Sequence, residues 1–414
     1  MTALLVGGLG APFDPFVVAA LRAEGIPAEA LGPMDADAQE HGRAALPRGQ
    51  CAPMLYTTGA LIRAAKTQPG PVRALNVQSC GPCRYALFGA GWERALEREG
   101  LGPIELVGLE ASLASLRTPG LRRAVEAVVA ADALAETAHR LRPYELRRGA
   151  IDDAARAVAI AASERIAHGH SPLRVLAEAR GWHTGLWCVS PTPLARAVLV
   201  GEPWSLHVVG DGRLHLPRVL AAAGVEVEVP PFGTWLAYLA WQARRDGAVP
   251  TVARFEAELA ELYAAACDAA GIEGFAPPDV DALAALAAPH LDLAIRGGYG
   301  HVEVGLALAA AAERRAHVVI SVKSFGCIPS AGISDAILPA ALGETPYLSL
   351  EVCADGAAAR ESRLAMRVAH ALDAADEELS ATGTGFAPLA FDPLRPPRGP
   401  RRYASTLAEV TARG

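Results

Sequence analysis

The chain carries cysteines at Cys51, Cys80, Cys83, Cys188, Cys267, Cys327 and Cys353, and four of them stand where chemistry is easiest to place. Cys80 and Cys83, separated by Gly81 and Pro82, follow the short apolar run 74–77 and precede a stretch at 84–96 with helical character. Strand, thiols and helix start are thus expected in direct succession. Backbone N–H groups and the helix dipole at such a start favour thiolate over thiol. Cys327 repeats the arrangement, with a strongly apolar strand at 317–322 before it and a helix expected from about Gly332 after it. Cys51 stands two residues before Pro53, a residue that suits the first turn of a helix.

Four thiolates suit either a tetrahedral zinc ion or a cubane 4Fe–4S cluster. The pair Cys80 and Cys83, read as CGPC, also suits thiol–disulfide exchange. That chemistry would need its own compact sheet and a downstream cis-proline loop, and would leave Cys51 and Cys327 without a role. Of the remaining thiols, Cys353 follows the strand expected at 347–352, and Cys267 lies in the Ala-rich run AAACDAA, where a buried structural thiol is expected. Arg84 and Lys323 lie close to the thiols in sequence and would add positive charge. GGYGHVEVG reads as a glycine-rich loop, and its His301 and Glu303 are candidate proton donors, their plainer role being structural. His139, His168 and His170 fall in a helical zone, where HGH reads as a helix end and loop. Gly7, Gly8 and Gly10 match a dinucleotide fingerprint only in part, and read as a tight turn into a helix.

The elements that must hold these residues follow an alternating pattern. Strands are expected at 3–6, 28–31, 74–77 and 104–107, with helices between them. A helical stretch runs over 112–179, broken near Pro119, Pro143 and Pro172. Strands at 195–200, 225–229, 317–322 and 347–352 then alternate with helices, and residues 206–209 are read with the strands. The fold class is therefore α/β. An N-terminal α/β domain is expected at 1–110, a helical connecting region at 111–190, a C-terminal α/β domain at 191–385 and a tail at 386–414. Ligands of open parallel sheets bind outside the carboxyl ends of the strands. Thiols on two such rims would meet in the cleft between the domains.

With 414 residues, the chain is long enough for two or three domains. Its net charge of -7 speaks against a nucleic-acid surface or a polybasic membrane anchor. No apolar run reaches the roughly 20 residues of a membrane span. The start MTALLVGGLG has no basic residue before its apolar ones and reads as a first strand. The odd, widely spaced cysteines suit a reducing compartment, and a cytoplasmic location is expected.

Five stretches occur in a telling order: CAPMLYTTGALI, CGPCRYALFGAGW, VGEPW, GGYGHVEVG and VKSFGCIPS. Together they resemble the 2-hydroxyacyl-CoA dehydratase and benzoyl-CoA reductase family, especially its branch related to CoA-dehydratase activases. The resemblance covers roughly residues 3–367. It implies two Rossmann-like parallel-sheet domains with a helical connection and an iron–sulfur cluster in the inter-domain cleft. Its ligands would be Cys51, Cys80, Cys83 and Cys327. It also implies a separate ATP-hydrolysing iron–sulfur activator protein, an acyl-CoA as candidate substrate, and a homo- or heterodimer. A single 4Fe–4S cluster is expected ahead of a double cubane, which would need six thiolates and thus Cys353 with Cys188 or Cys267. Three functions follow: a cluster-bearing reductase or dehydratase-like lyase, a non-catalytic electron carrier, or a thiol–disulfide oxidoreductase using Cys80 and Cys83.

Overall fold

The computed structural model describes residues 2–67, 70–76, 83–108, 119–188, 194–209, 214–247, 249–295, 298–352 and 357–383. Cys80, Cys353 and the tail 386–414 lie outside the described residues.

The first unit runs β1 (Leu4–Val6), α1 (Phe13–Ala23), β2 (Ala28–Ala30), α2 (Ala36–Ala45), α3 (Ala52–Thr67), β3 (Val72–Asn76), α4 (Phe88–Arg98) and β4 (Ile104–Gly108). A tight 3₁₀ turn at Arg84–Leu87 leads into α4. Three helices follow, α5 (Pro119–Leu141), α6 (Ala150–Ala167) and α7 (Pro172–Glu178). The second unit then runs β5 (Ala195–Gly201), α8 (Pro203–His207), α9 (Leu216–Ala222), β6 (Val225–Glu228), α10 (Gly233–Arg245), α11 (Val249–Ala270), α12 (Val280–Ala287), α13 (Gly300–Ala312), β7 (Val318–Ser324), α14 (Asp335–Ala341), β8 (Tyr347–Val352) and α15 (Ala357–Thr382).

Each unit holds a four-stranded parallel sheet, in the orders β2-β1-β3-β4 and β6-β5-β7-β8. These are two Rossmann-like domains with the same strand order. Parallel strands covered on both faces need no polar side, and β5 and β7 are buried along their whole lengths. Their register brings Gly201 opposite Val322. A Cβ on Gly201, which has φ +136, would stand 1.9 Å from the Val322 carbonyl oxygen, so only glycine fits there. In both sheets the chain reverses direction across one pair of strands, β1/β3 and β5/β7. Such a reversal leaves a crevice at the strand ends.

Two sets of contacts hold the units against each other. The Val209 N–H donates to the Leu9 carbonyl at 2.7 Å, tying the exit of β1 to the end of α8. Tyr56 of α3 meets Trp204 of α8 with ring centroids 5.4 Å apart. Behind them α1 buries Phe13, Phe16 and Ala20 in a helical core shared with α5, α6, α7, α10 and α11. The small residues Ala127, Ala130, Ala131 and Ala133 let α5 approach its neighbours closely, so packing here depends on backbone proximity as well as on large side chains.

The turn after β1 is a tight entry into α1, as its spacing suggests. Gly7, Gly8 and Gly10 all have positive φ. The Asp14 carboxylate accepts from the N–H groups of Gly8 (2.9 Å), Leu9 (3.2 Å) and Gly10 (2.9 Å). Burial pushes the Asp14 carboxyl up to about 6, and those three N–H groups limit the rise.

Three local expectations are corrected. GGYGHVEVG is not a loop throughout: α13 begins at Gly300, so His301 and Glu303 lie in its first turn. Gly305 is there for packing, since a Cβ on it would stand 2.4 Å from the Leu283 carbonyl oxygen of α12. Residues 206–209 contain the end of a helix and no strand, because Glu202 caps α8 by accepting from the Ser205 N–H, and Pro203 occupies its first position. The helix expected from about Gly332 starts earlier, as a wide π-type turn over Ile328–Ser334 that leads into α14.

Candidate functional site

Cys51, Cys83 and Cys327 line one cavity of about 320 Å³. Each is delivered by a different junction. Cys51 precedes α3, Cys83 precedes the 3₁₀ turn that opens α4, and Cys327 precedes the π-type turn that opens α14. The first two belong to one sheet unit and the third to the other. Arg84 sits across the same seam. It donates from Nη1 to the Gly49 carbonyl, and a Cβ on Gly326 would stand 4.0 Å from that Nη1.

The three thiols share an electrostatic environment. Burial pushes the Cys51 thiol up to about 11, and the Met54 N–H opposes it. Burial also raises Cys83, against the Tyr85 N–H. Cys327 is raised furthest, by burial and then by Glu202, against the Ser330 N–H. The backbone amide two or three residues on therefore favours the thiolate at every sulfur, as helix starts do. A protein-only environment still holds these sulfurs protonated; a bound metal centre would deprotonate them.

Glu202 lines the same cavity. Burial raises its carboxyl to about 7; the Ser205 hydroxyl and amide and the Trp204 amide pull it down, while Glu303 pushes it up. Glu303 stands behind the wall. It accepts from Ser321 Oγ at 2.6 Å and Ser330 Oγ at 2.9 Å, with Lys323 Nζ 3.9 Å away. Lys323 is completely buried and pairs with Asp335, which also accepts from Tyr347 OH at 2.6 Å and Ser349 Oγ at 2.9 Å. The rest of the wall is largely apolar, its aliphatic side chains interleaved with Phe13, Phe88, Trp92, Trp204, Phe232 and Trp235.

The structure thus brings together Cys51, Cys83 and Cys327, with Glu303 one layer back from Cys327. It does not bring His301 to them. The His301 ring packs on Trp241 with centroids 5.6 Å apart, and its Nε2 faces the Asp292 carbonyl at 3.1 Å. Cys267 donates from Sγ to the Phe275 carbonyl at 3.0 Å, within the helical core, which fits the expected structural role. Cys188 is buried after α7, its N–H donating to the Tyr144 carbonyl at 3.1 Å. Among the described residues, no three His, Cys, Asp or Glu side chains close on one point as the ligands of a single ion must.

Glu202 and Asp14 are the acidic residues of this cavity, and sequence reasoning left both without a role. The signal for Glu202 was present in VGEPW. An acid followed by proline, directly after an unbroken apolar strand, marks a helix cap on the strand's carboxyl edge. Asp14 gave no comparable signal, because its partners are backbone amides.

No protein-family model matches the chain, and no curated protein matches it either.

Proposed function

We propose that the chain binds a 4Fe–4S cluster through Cys51, Cys80, Cys83 and Cys327, and transfers low-potential electrons to a difficult reduction or dehydration. A separate ATP-hydrolysing activator protein would supply the electrons. The observation that carries this reading is the meeting of Cys51, Cys83 and Cys327, from three junctions and two sheet units, on one largely apolar cavity. The donor set is soft and anionic when ionised, as cluster iron requires. In a cubane each thiolate binds a different iron, so its ligands lie farther apart than those of a single ion.

When bound, the cluster supplies one-electron transfer at low potential. The chain's own residues do the rest. The amides of Met54, Tyr85 and Ser330 offset negative charge at the sulfurs. The apolar walls exclude water and leave space for an apolar acyl group, in keeping with an acyl-CoA substrate. Glu202 is the wall carboxyl whose charge acts on all three thiols, with Glu303 linked to the Cys327 turn through Ser330. The cavity favours an enzyme over a pure electron carrier, which needs no substrate space. Of the pair Cys80 and Cys83, burial raises the Cys83 thiol, which works against thiol–disulfide exchange there.

The test is anaerobic purification and cluster loading, followed by iron and sulfide analysis and EPR. About four irons and four sulfides per chain are expected. Material that stays free of iron after loading overturns the reading. A change in the EPR spectrum on adding acyl-CoA supports the enzyme; an unchanged spectrum supports the carrier.

A further inference from the structure

A second cavity, of about 110 Å³, opens where three parts of the chain meet. Ala11 and Pro12 come from the turn before α1, His139 and Arg142 from the end of α5 and just after it, Asp152 and Arg156 from α6, and His215 and Arg218 from the start of α9. Three arginines and one aspartate therefore line it, in a protein whose net charge is -7.

That carboxylate is already committed. Asp152 accepts from Arg142 Nη2 at 2.8 Å and pairs with Arg218 Nε at 2.8 Å. Burial works against its charge, but Arg142, Arg218 and His139 together hold the carboxyl below its ordinary range. Arg142 is only 7% exposed, and its Nη1 is buried without a hydrogen-bond partner among the described residues. A buried guanidinium N–H left open is costly and points to something that completes it. Arg156 is exposed and makes no ion pair among the described residues. Leu214 and His215, at the cavity's edge, both hold left-handed backbone, with φ of 54 and 50.

We propose that this junction cavity binds a phosphate-type dianion. The arginines outnumber the carboxylates in reach, Asp152 in the lining and Glu145 beside Arg142, so the cavity keeps a positive charge that a phosphoryl group of roughly −1.5 to −2 would offset. Planar guanidinium forks also match phosphoryl oxygens. At about 110 Å³ the cavity has room for one phosphoryl group. The anion is either free phosphate or the phosphoryl end of a larger molecule whose body lies outside. Bound there, it would link the first sheet unit, the connecting helices and the second sheet unit through a single group. This site is separate from the thiol cavity and does not depend on a cluster.

Calorimetric titration of the full chain at low ionic strength tests the proposal, with inorganic phosphate and AMP as probes and chloride as the ionic-strength control. One saturable site per chain is expected. Arg156→Ala and Arg218→Ala should each weaken it about tenfold, the loss of one charge-assisted hydrogen bond. Arg142→Ala leaves Asp152 half-paired and risks misfolding, so the exposed Arg156 carries the test, with Arg156→Glu expected to abolish binding. Equal affinity for the two probes identifies the free anion. Tighter AMP binding that Arg156→Ala weakens identifies a phosphoryl group on a larger molecule. The proposal is overturned if neither probe binds saturably above the chloride control, or if binding is the same in Arg156→Ala and Arg218→Ala as in the natural chain.

Discussion

Cys83 and Cys327 occupy equivalent places in the two sheet units. Each comes after the third strand of its unit, and each stands immediately before a helical turn. Their backbones nearly coincide, with φ −71 and ψ 126 at Cys83 and φ −70 and ψ 109 at Cys327. Both units also turn the same kind of crevice toward the cavity, because their strand orders are the same. A centre held by these two sulfurs sits on the seam and is gripped by both halves.

Cys327→Ser should therefore lose most of the iron that the natural chain retains after anaerobic loading, read by iron analysis and absorption near 400 nm. Cys267→Ser should retain it, since that thiol is bonded to the Phe275 carbonyl in the helical core. Equal retention by both variants would remove Cys327 from the site.

Gly298 guards the same turn from the other side. It has φ +89, and a Cβ on it would stand 2.2 Å from Pro329 Cγ. Gly298→Ala is expected to destabilise the protein by roughly 2–4 kcal/mol, through left-handed strain and overpacking together. A urea midpoint unchanged from the natural chain would contradict this close approach.

The buried ammonium of Lys323 balances Asp335 and stands 3.9 Å from Glu303 Oε1. Lys323→Met leaves the half-buried Asp335 and the buried Glu303 without it, at a cost of about 3 kcal/mol. Adding Asp335→Asn should restore part of the loss. A double variant no more stable than the single one would show that the pair is not what Lys323 supports.

Asp132 sets a pH dependence. Burial raises its carboxyl to about 7, although it accepts from the amides of Phe232 and Gly233 at the start of α10 and from the Tyr263 hydroxyl. Below pH ~4 the folded and unfolded chains both hold this proton, and Asp132 makes no difference. Between pH ~4 and about 7 the unfolded chain has released it and the folded chain keeps it. Stability should fall with rising pH across that window, by on the order of a few kcal/mol, and then level off. Asp132→Asn should flatten the profile, measured as unfolding free energy against pH. A variant with the natural slope would assign that slope to other groups.

Much of this architecture was legible beforehand. Apolar runs such as 195–200 and 317–322 fixed the strands, and the thiols after them marked the edge where a ligand sits. What periodicity could not show was contact between distant elements. Gly300 and Gly305 looked like loop residues, yet Gly305 is small because Leu283 packs against it in the fold. Glu202 looked like part of a turn, yet it caps α8 and faces the thiols. Such roles depend on what lies opposite a residue. The positions of Cys51, Cys83 and Cys327 depended only on what precedes or follows each in the chain, and so could be read.

The glycine-rich turn after β1 carries a consequence for where electrons come from. Its amides at Gly8, Leu9 and Gly10 are engaged by the chain's own Asp14. A nicotinamide coenzyme seated there would have to evict a side chain and place its pyrophosphate beside a displaced acid. For the proposed electron transfer, reducing equivalents would therefore have better reason to arrive on a second protein than on a diffusible dinucleotide docked at this turn.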